Sequence, residues 1–396
     1  MSLYDLTSFL RLSAVINYNL SASSLNRHNI LRLILEGKRL HHNHQKDLDQ
    51  KGIVMEALNY LFSAYSQKRR RLGPMAVLHP LRATALFTRA LDEVTLVDVL
   101  SILFHDVPED IHPGDFDNVI WKKMEEQIYS LFDRLDNQEE ETLLKCLESL
   151  TKRDGESYFH YIWRLLETTD HSYNAIQIKL ADRLDNTLDM RIDLKDPLDD
   201  IDFYYIIFQI LFEGQQQVYT PETVHPPTAS MNGSKRLYQL FKNVVLLSLV
   251  RKKGVGDSTA AIQHLVTTIS KASLKEAQRI FVHLIGYHYT DIKLQRELLL
   301  DVMNYCHSGK TCFITAPDSD QMVDGLFLNT FGVLSDQKRA QQLDILYQNK
   351  PLMLQAAIAF IVLFSHFLND PCFFLGGINA DGVYAEACTE TQTENH

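Results

Sequence analysis

The chain has 396 residues, 45% of them hydrophobic and 22% charged, with a formal net charge of −11. That length suggests about two to three domains, and the composition is that of an ordinary soluble globular protein. The acidic balance excludes broad binding to nucleic acid or anionic membrane, which needs a basic face; the cluster Lys68-Arg69-Arg70-Arg71 is a local exception that leaves room for a small phosphorylated ligand.

In chain order, the opening Met1-Ser2-Leu3-Tyr4-Asp5 lacks the basic n-region of a signal peptide. Residues 1–49 read as an N-terminal helical extension. Within them His41-His42-Asn43-His44 has the look of a metal tract, but no carboxylate or cysteine shares its spacing, so a loop is expected. A domain follows over 50–212. In it His79-Pro80 suits a helix start. Val97, Leu100 and Phe104 mark one face of a helix, as do Leu143, Leu147 and Leu150, and Leu180, Leu184 and Leu188. Proline, glycine and small polar residues over 213–234 predict a linker or long loop. Residues 235–388 are mainly helical, with patterns over Leu237–Val250, Ala260–Ile269 and Leu294–Tyr305. The apolar stretch Leu352–Leu368 is broken by Gln355, Ser365 and His366 and is shorter than the roughly 20 residues that span a bilayer, which predicts a buried helix. The tail 389–396 is polar and expected to fray.

No series of alternating strands appears. Phe313-Ile314-Thr315 and Phe373-Phe374-Leu375 are too short for a sheet, and Cys372–Gly376 reads equally as loop, so the fold class is all-α. The cysteines at 146, 306, 312, 372 and 388 are odd in number and form no C-x-x-C pair. A disulfide framework or zinc ribbon is therefore not expected, and a reducing cytoplasm fits. Gly254 and Gly256 do not complete a phosphate loop, and no G-x-S-x-G elbow is present.

The chemistry concentrates at Phe104-His105-Asp106-Val107-Pro108-Glu109-Asp110. Imidazole and carboxylate side by side suit a divalent metal of the Mn, Fe, Ni or Zn type, and the acids that follow can handle the proton of a metal-bound water. His79 lies upstream and Lys179-Leu180-Ala181-Asp182-Arg183-Leu184-Asp185-Asn186 downstream. Each interval can hold a helix and a return. Three helices side by side can therefore bring His79, His105, Asp106 and Asp182 to one point, with positions left for water and a substrate oxygen.

The order H…HD…D resembles the HD phosphohydrolase superfamily. His105–Asp110 and Lys179–Asn186 look like the hydrolase domain of RelA/SpoT alarmone enzymes and their stand-alone relatives. Gly73 with His79-Pro80, and Leu150–Tyr158 followed by Tyr161, add to the likeness, which covers about residues 50–195. The resemblance implies an HD-domain helical bundle in which His79, His105, Asp106 and Asp182 hold one divalent metal, typically Mn²⁺. It implies that Glu109 and Asp110 orient and deprotonate the attacking water. It also implies that Arg70 packs on a purine base, that Asn186 lines the substrate pocket, and that Lys179 or Arg183 faces the phosphates.

Two positions depart from the family pattern. Met75-Ala76 replaces a Pro-Tyr pair and removes an aromatic ring from the expected base pocket, and Asp185 stands where histidine is common. The expected activity is hydrolysis of a phosphorylated nucleotide, most closely that of a guanosine 3′,5′-bis(diphosphate) 3′-pyrophosphohydrolase. Alternatives are an HD hydrolase for another nucleotide or phosphoester, or a catalytically silent module that binds a nucleotide. No synthetase or regulatory domain of the long RelA/SpoT proteins is recognisable after residue 200. Oligomeric state is not legible.

Overall fold

Capping residues set where the N-terminal helices begin. Asn43 turns its side-chain oxygen onto the free N–H groups of Gln45 and Lys46, Asp117 onto Val119 and Ile120, and Asp136 onto Gln138 and Glu139. Thr95 and Asp98 close a reciprocal capping box. Each cap satisfies backbone donors that the first turn leaves without partners. The computed structural model describes residues 6–21, 26–66, 68–70, 75–168, 174–190, 207–213, 232–254, 259–308, 311–315, 323, 325–333 and 335–385.

The fold is all-α. The helices are α1 (Leu6–Ser21), α2 (Arg27–Leu35), α3 (His44–Ala64), α4 (Leu78–Ala90), α5 (Leu96–Phe104), α6 (Val107–Asp110), α7 (Asn118–Phe132), α8 (Asn137–Leu150), α9 (Tyr158–Thr168), α10 (Ala175–Asp189), α11 (Gly233–Lys252), α12 (Ala260–His288), α13 (Ile292–Ser308), α14 (Asp336–Gln348) and α15 (Lys350–Asn369). Among the described residues the one sheet is a two-stranded hairpin, β1 (Ile378–Asn379) with β2 (Gly382–Val383). Thr311–Ile314 is a 3₁₀ turn, and Cys372–Gly376 is loop.

The chain divides into two compact units, one of residues 1–156, 164–192 and 256–269, the other of 157–163, 193–255 and 270–396. The expected linker 213–234 lies outside the described residues except at its ends, as do Gly73 and the tail 389–396. In the first unit α4 is the axis, packed against α1, α2, α5 and α10. It is buried from Leu78 to Thr88 without a break, and α10 is buried over most of its length. A helix covered on every side must find internal partners for its polar side chains. That requirement explains why the ionic groups of these two helices face one another.

In the second unit α15 packs on α11 and α14. By length and composition α15 is apolar enough to cross a membrane, yet 61% of its most apolar window is buried inside the structure. The stretch Leu352–Leu368 is thus a buried helix, extended by Lys350, Pro351 and Asn369 beyond its apolar run. Phe241, Phe327, Phe331 and Phe360 interlock there, Phe241 stacking on Phe331 at 5.1 Å. Burying each such ring contributes roughly 1.5–3 kcal/mol. Arg251 closes the end of α15 by donating to the carbonyls of Phe367, Asp370 and Phe373.

Candidate metal centre

Three helices deliver the site. His79 stands in the first turn of α4, where Pro80 costs no hydrogen bond because first-turn N–H groups have no intrahelical acceptor. His105 ends α5, and Asp106 is the junction to α6. Asp182 lies mid-way along α10. His79, His105 and Asp182 are all buried and form a group that can hold a metal ion.

The spacing of the donor atoms is informative. His79 Nε2 is 3.2 Å from His105 Nε2 and 3.2 Å from Asp182 Oδ1, and His105 Nε2 is 3.9 Å from Asp182 Oδ1. Asp106 spans the two rings, Oδ2 at 3.2 Å from His79 Nε2 and Oδ1 at 3.2 Å from His105 Nε2. Metal–ligand bonds of about 2.1 Å give ligand–ligand edges of about 3.0 Å in an octahedron and about 3.4 Å in a tetrahedron. The four separations of 3.2 Å lie between these values, and the 3.9 Å between His105 and Asp182 is longer.

The tautomers agree. His105 Nδ1 lies 2.6 Å from the carbonyl oxygen of Ile102, which only accepts, so Nδ1 carries the hydrogen. His79 Nδ1 donates to Asp185 Oδ2 at 2.6 Å. Both Nε2 lone pairs are thereby turned to the same point, and two lone pairs at 3.2 Å require a proton or a cation between them. Burial and the nearby Arg70 work to lower the His79 pKa, yet hydrogen bonds to Asp106, Asp182 and Asp185 raise it well above 6.5. Burial likewise works to lower His105, and the charge of Asp106 with a bond to Asp182 raises it. Burial favours the neutral acid at Asp106, but the charge of His105 and a bond to His79 hold it at about 2. At Asp182 burial is outweighed by the charge of Lys179 and by bonds to both imidazoles. This is a site built for positive charge.

Behind the ligands stands a buried ionic group. Arg82 Nε donates to Asp185 Oδ1 at 2.7 Å, and its Nη2 reaches Asp185 Oδ2 at 3.1 Å and Asp189 Oδ1 at 2.7 Å. Its guanidinium also lies over the Phe9 ring at 4.9 Å. Burial opposes ionisation of Asp185, and Arg82 and His79 overcome it, holding the carboxyl far below the usual range. Asp185 thus orients His79 and carries a permanent negative charge, a role that its place in the sequence does not advertise.

The remaining candidates are placed as follows. Arg70 pairs with Asp189 at 3.0 Å and Asp185 at 3.4 Å and donates to Asn186 Oδ1 at 2.6 Å. Asn186 in turn donates to the carboxylate and carbonyl of Asp182. Lys179 pairs with Asp182 Oδ2 at 2.8 Å, and Arg183 is buried on the same helix. Asp110 accepts from the Tyr65 hydroxyl at 3.2 Å, and its main-chain oxygen accepts from Lys68. Desolvation by the surrounding helices and the charge of Asp106 raise the Asp110 carboxyl. Glu109 accepts from the backbone N–H of Lys152. Met75 bridges to Arg69, and Ala76 N donates to Lys68 O. Asn43, in the histidine-rich tract, serves as a helix cap, and among the described residues no second metal group is present. Tyr158 and Tyr161 pack on each other at 6.2 Å.

Reasoning from sequence passed over Arg82, Asp189 and Tyr65. Two of them carried a readable signal: Asp182, Asp185 and Asp189 recur at i, i+3, i+7 on α10, and Arg82 follows His79 by one turn on α4. Comparison with protein-family models, with curated proteins and with solved structures finds no match to this chain.

Proposed function

We infer that the chain is a metal-dependent phosphohydrolase acting on a phosphorylated nucleotide. The reaction taken from the resemblance to RelA/SpoT hydrolase domains is release of pyrophosphate from the 3′ oxygen of guanosine 3′,5′-bis(diphosphate). The observation that carries this reading is the convergence of two oriented Nε2 lone pairs with Asp182 and Asp106, next to a carboxylate of raised pKa. A divalent cation such as Mn²⁺, if held there by His79, His105, Asp106 and Asp182, would lower the pKa of a bound water and polarise a phosphoryl oxygen.

The chain's own residues do the rest. His79, His105, Asp106 and Asp182 hold the ion, and Asp185 with Arg82 fixes the His79 ring. Asp110 accepts the proton of the attacking water, its raised pKa making it a stronger base than an ordinary aspartate. Arg70, Lys179, Arg183 and Asn186 form the substrate side. Cys146 and Cys372 are free thiols, which fits work in a reducing cytoplasm.

A second reading, hydrolysis of a different nucleotide or phosphoester, is favoured by Arg70. The residue expected to pack on a purine is committed to Asp185, Asn186 and Asp189. The test is incubation of Mn²⁺-loaded protein with guanosine 3′,5′-bis(diphosphate), reading pyrophosphate, beside a panel of nucleotides and phosphoesters. Turnover that disappears in His105→Ala supports a metal-dependent phosphohydrolase. Turnover of another substrate alone selects the second reading, and a fully active His105→Ala protein sinks both.

A further inference from the structure

Glu109 follows the Asp106 ligand closely, yet its carboxylate is engaged elsewhere. Oε1 accepts from the backbone N–H of Lys152 at 2.7 Å, joining α6 to the turn over residues 151–156. Arg164 holds that turn from its other side. Its Nε reaches Glu156 Oε1 at 2.8 Å, its Nη2 reaches Glu156 Oε2 and the Thr151 carbonyl at 2.9 Å each, and its Nη1 reaches the Ser149 carbonyl. Inside the turn Arg153 N donates to Glu156 Oε2, Glu156 N donates to Arg153 O, and Gly155 takes φ +72°, a conformation free of strain only for glycine. One glutamate and one arginine thus pin the segment at both ends, and what it sets beside α6 is Lys152.

Lys152 carries no ion pair among the described residues. Several cations around the centre are paired with carboxylates: Lys68 with Asp115, Arg70 with Asp185 and Asp189, Lys179 with Asp182, and Arg153 with Glu148. A phosphate entering a site lined by carboxylates needs an uncommitted cation.

We propose that Glu109 is a positioning residue and not the base: it anchors the 151–156 turn so that Lys152 meets a phosphate of the substrate. The phosphate rests on the phosphohydrolase reading above; the anchor does not. A glutamine at 109 can accept the same N–H bond with its amide oxygen but cannot take a proton at neutral pH. Glu109→Gln and Glu109→Ala therefore separate the two roles.

In metal-free full-length protein, tryptic cleavage after Lys152 or Arg153 quickens about tenfold in Glu109→Ala and is unchanged in Glu109→Gln, the factor being that for losing one hydrogen bond to a charged group. With Mn²⁺ and guanosine 3′,5′-bis(diphosphate), Glu109→Gln keeps kcat and KM within about twofold, Glu109→Ala and Lys152→Ala raise KM about tenfold with kcat little changed, and Lys152→Arg restores KM. A Glu109→Gln protein as inactive as Glu109→Ala, with its turn still resistant to trypsin, overturns the assignment. If wild type turns over no phosphoester, the phosphohydrolase reading falls by itself. Digestion then still decides the anchor, and calorimetric binding of inorganic pyrophosphate decides the cation: Lys152→Ala weakens it about tenfold if the proposal holds, and an unchanged affinity overturns it.

Discussion

Asp185→Asn tests the support behind the candidate metal group. Asp185 is fully buried and receives hydrogen bonds from His79 Nδ1 and from two nitrogens of Arg82. The substitution removes one buried charge and leaves Arg82 and His79 facing an amide whose NH₂ cannot accept. Removing one partner of a buried ion pair costs about 3–5 kcal/mol. Asp189 still receives Arg82 Nη2 at 2.7 Å, which places the expected loss near the lower figure, about 3 kcal/mol. In a unit of this size each kcal/mol is worth about 2–4 °C in Tm, so the first unit melts about 6–12 °C lower. The His79 ring also loses the acceptor that fixes its tautomer, and Mn²⁺ affinity falls about 10–100-fold. The assays are calorimetric melting of metal-free protein and titration with Mn²⁺. Melting within about 2 °C of wild type together with wild-type Mn²⁺ affinity would refute the reasoning, because an ion pair that deep cannot be lost without consequence.

Four further outcomes follow. The raised imidazoles of His79 and His105 mean that protons compete with metal, so the Mn²⁺-induced rise in Tm grows between pH 6 and pH 8; a shift independent of pH contradicts it. Without metal the signs reverse: the imidazole contribution is full below 6.5 and fades as pH rises through the raised values, while that of Asp182 and Asp185 is present above 3.8 and lost as pH falls, so metal-free protein is most stable in the mildly acidic range between. Tyr65→Phe removes a hydrogen bond that favours ionised Asp110, which raises that pKa and moves the acid limb of the pH–rate profile up by roughly half to one pH unit. In the second unit Glu276 is fully buried between Arg236 and Arg279, and Glu276→Gln lowers stability in a urea melt by about 3–5 kcal/mol.

The helical class was legible because it rests on local pattern, as where Leu180, Leu184 and Leu188 declare a helix face; the grouping of His79, His105 and Asp182 was legible in the order of the short motifs that carry them. Asp185 was legible only as an oddity. It stood out only as an aspartate where histidine is common, whereas in the structure its charge is spent on His79 and Arg82 inside the fold. What the sequence hides is pairing across distance: Arg70 meets Asp189 through more than a hundred residues of chain, and Glu109 meets Lys152 with no periodic signal to link them. That residues 157–163 belong to the second unit and 256–269 to the first is likewise a fact that composition cannot report.

His79, His105 and Asp182, with Asp106, are proposed to form one divalent-metal site. The most direct measurement is elemental analysis of Mn²⁺-equilibrated, desalted protein, wild type beside His79→Ala and Asp182→Asn, with helicity checked on the same samples. Close to one metal per wild-type chain is expected, and little in either variant while both stay helical. A helical wild-type protein that retains no divalent metal, or variants that retain as much as wild type, would contradict it.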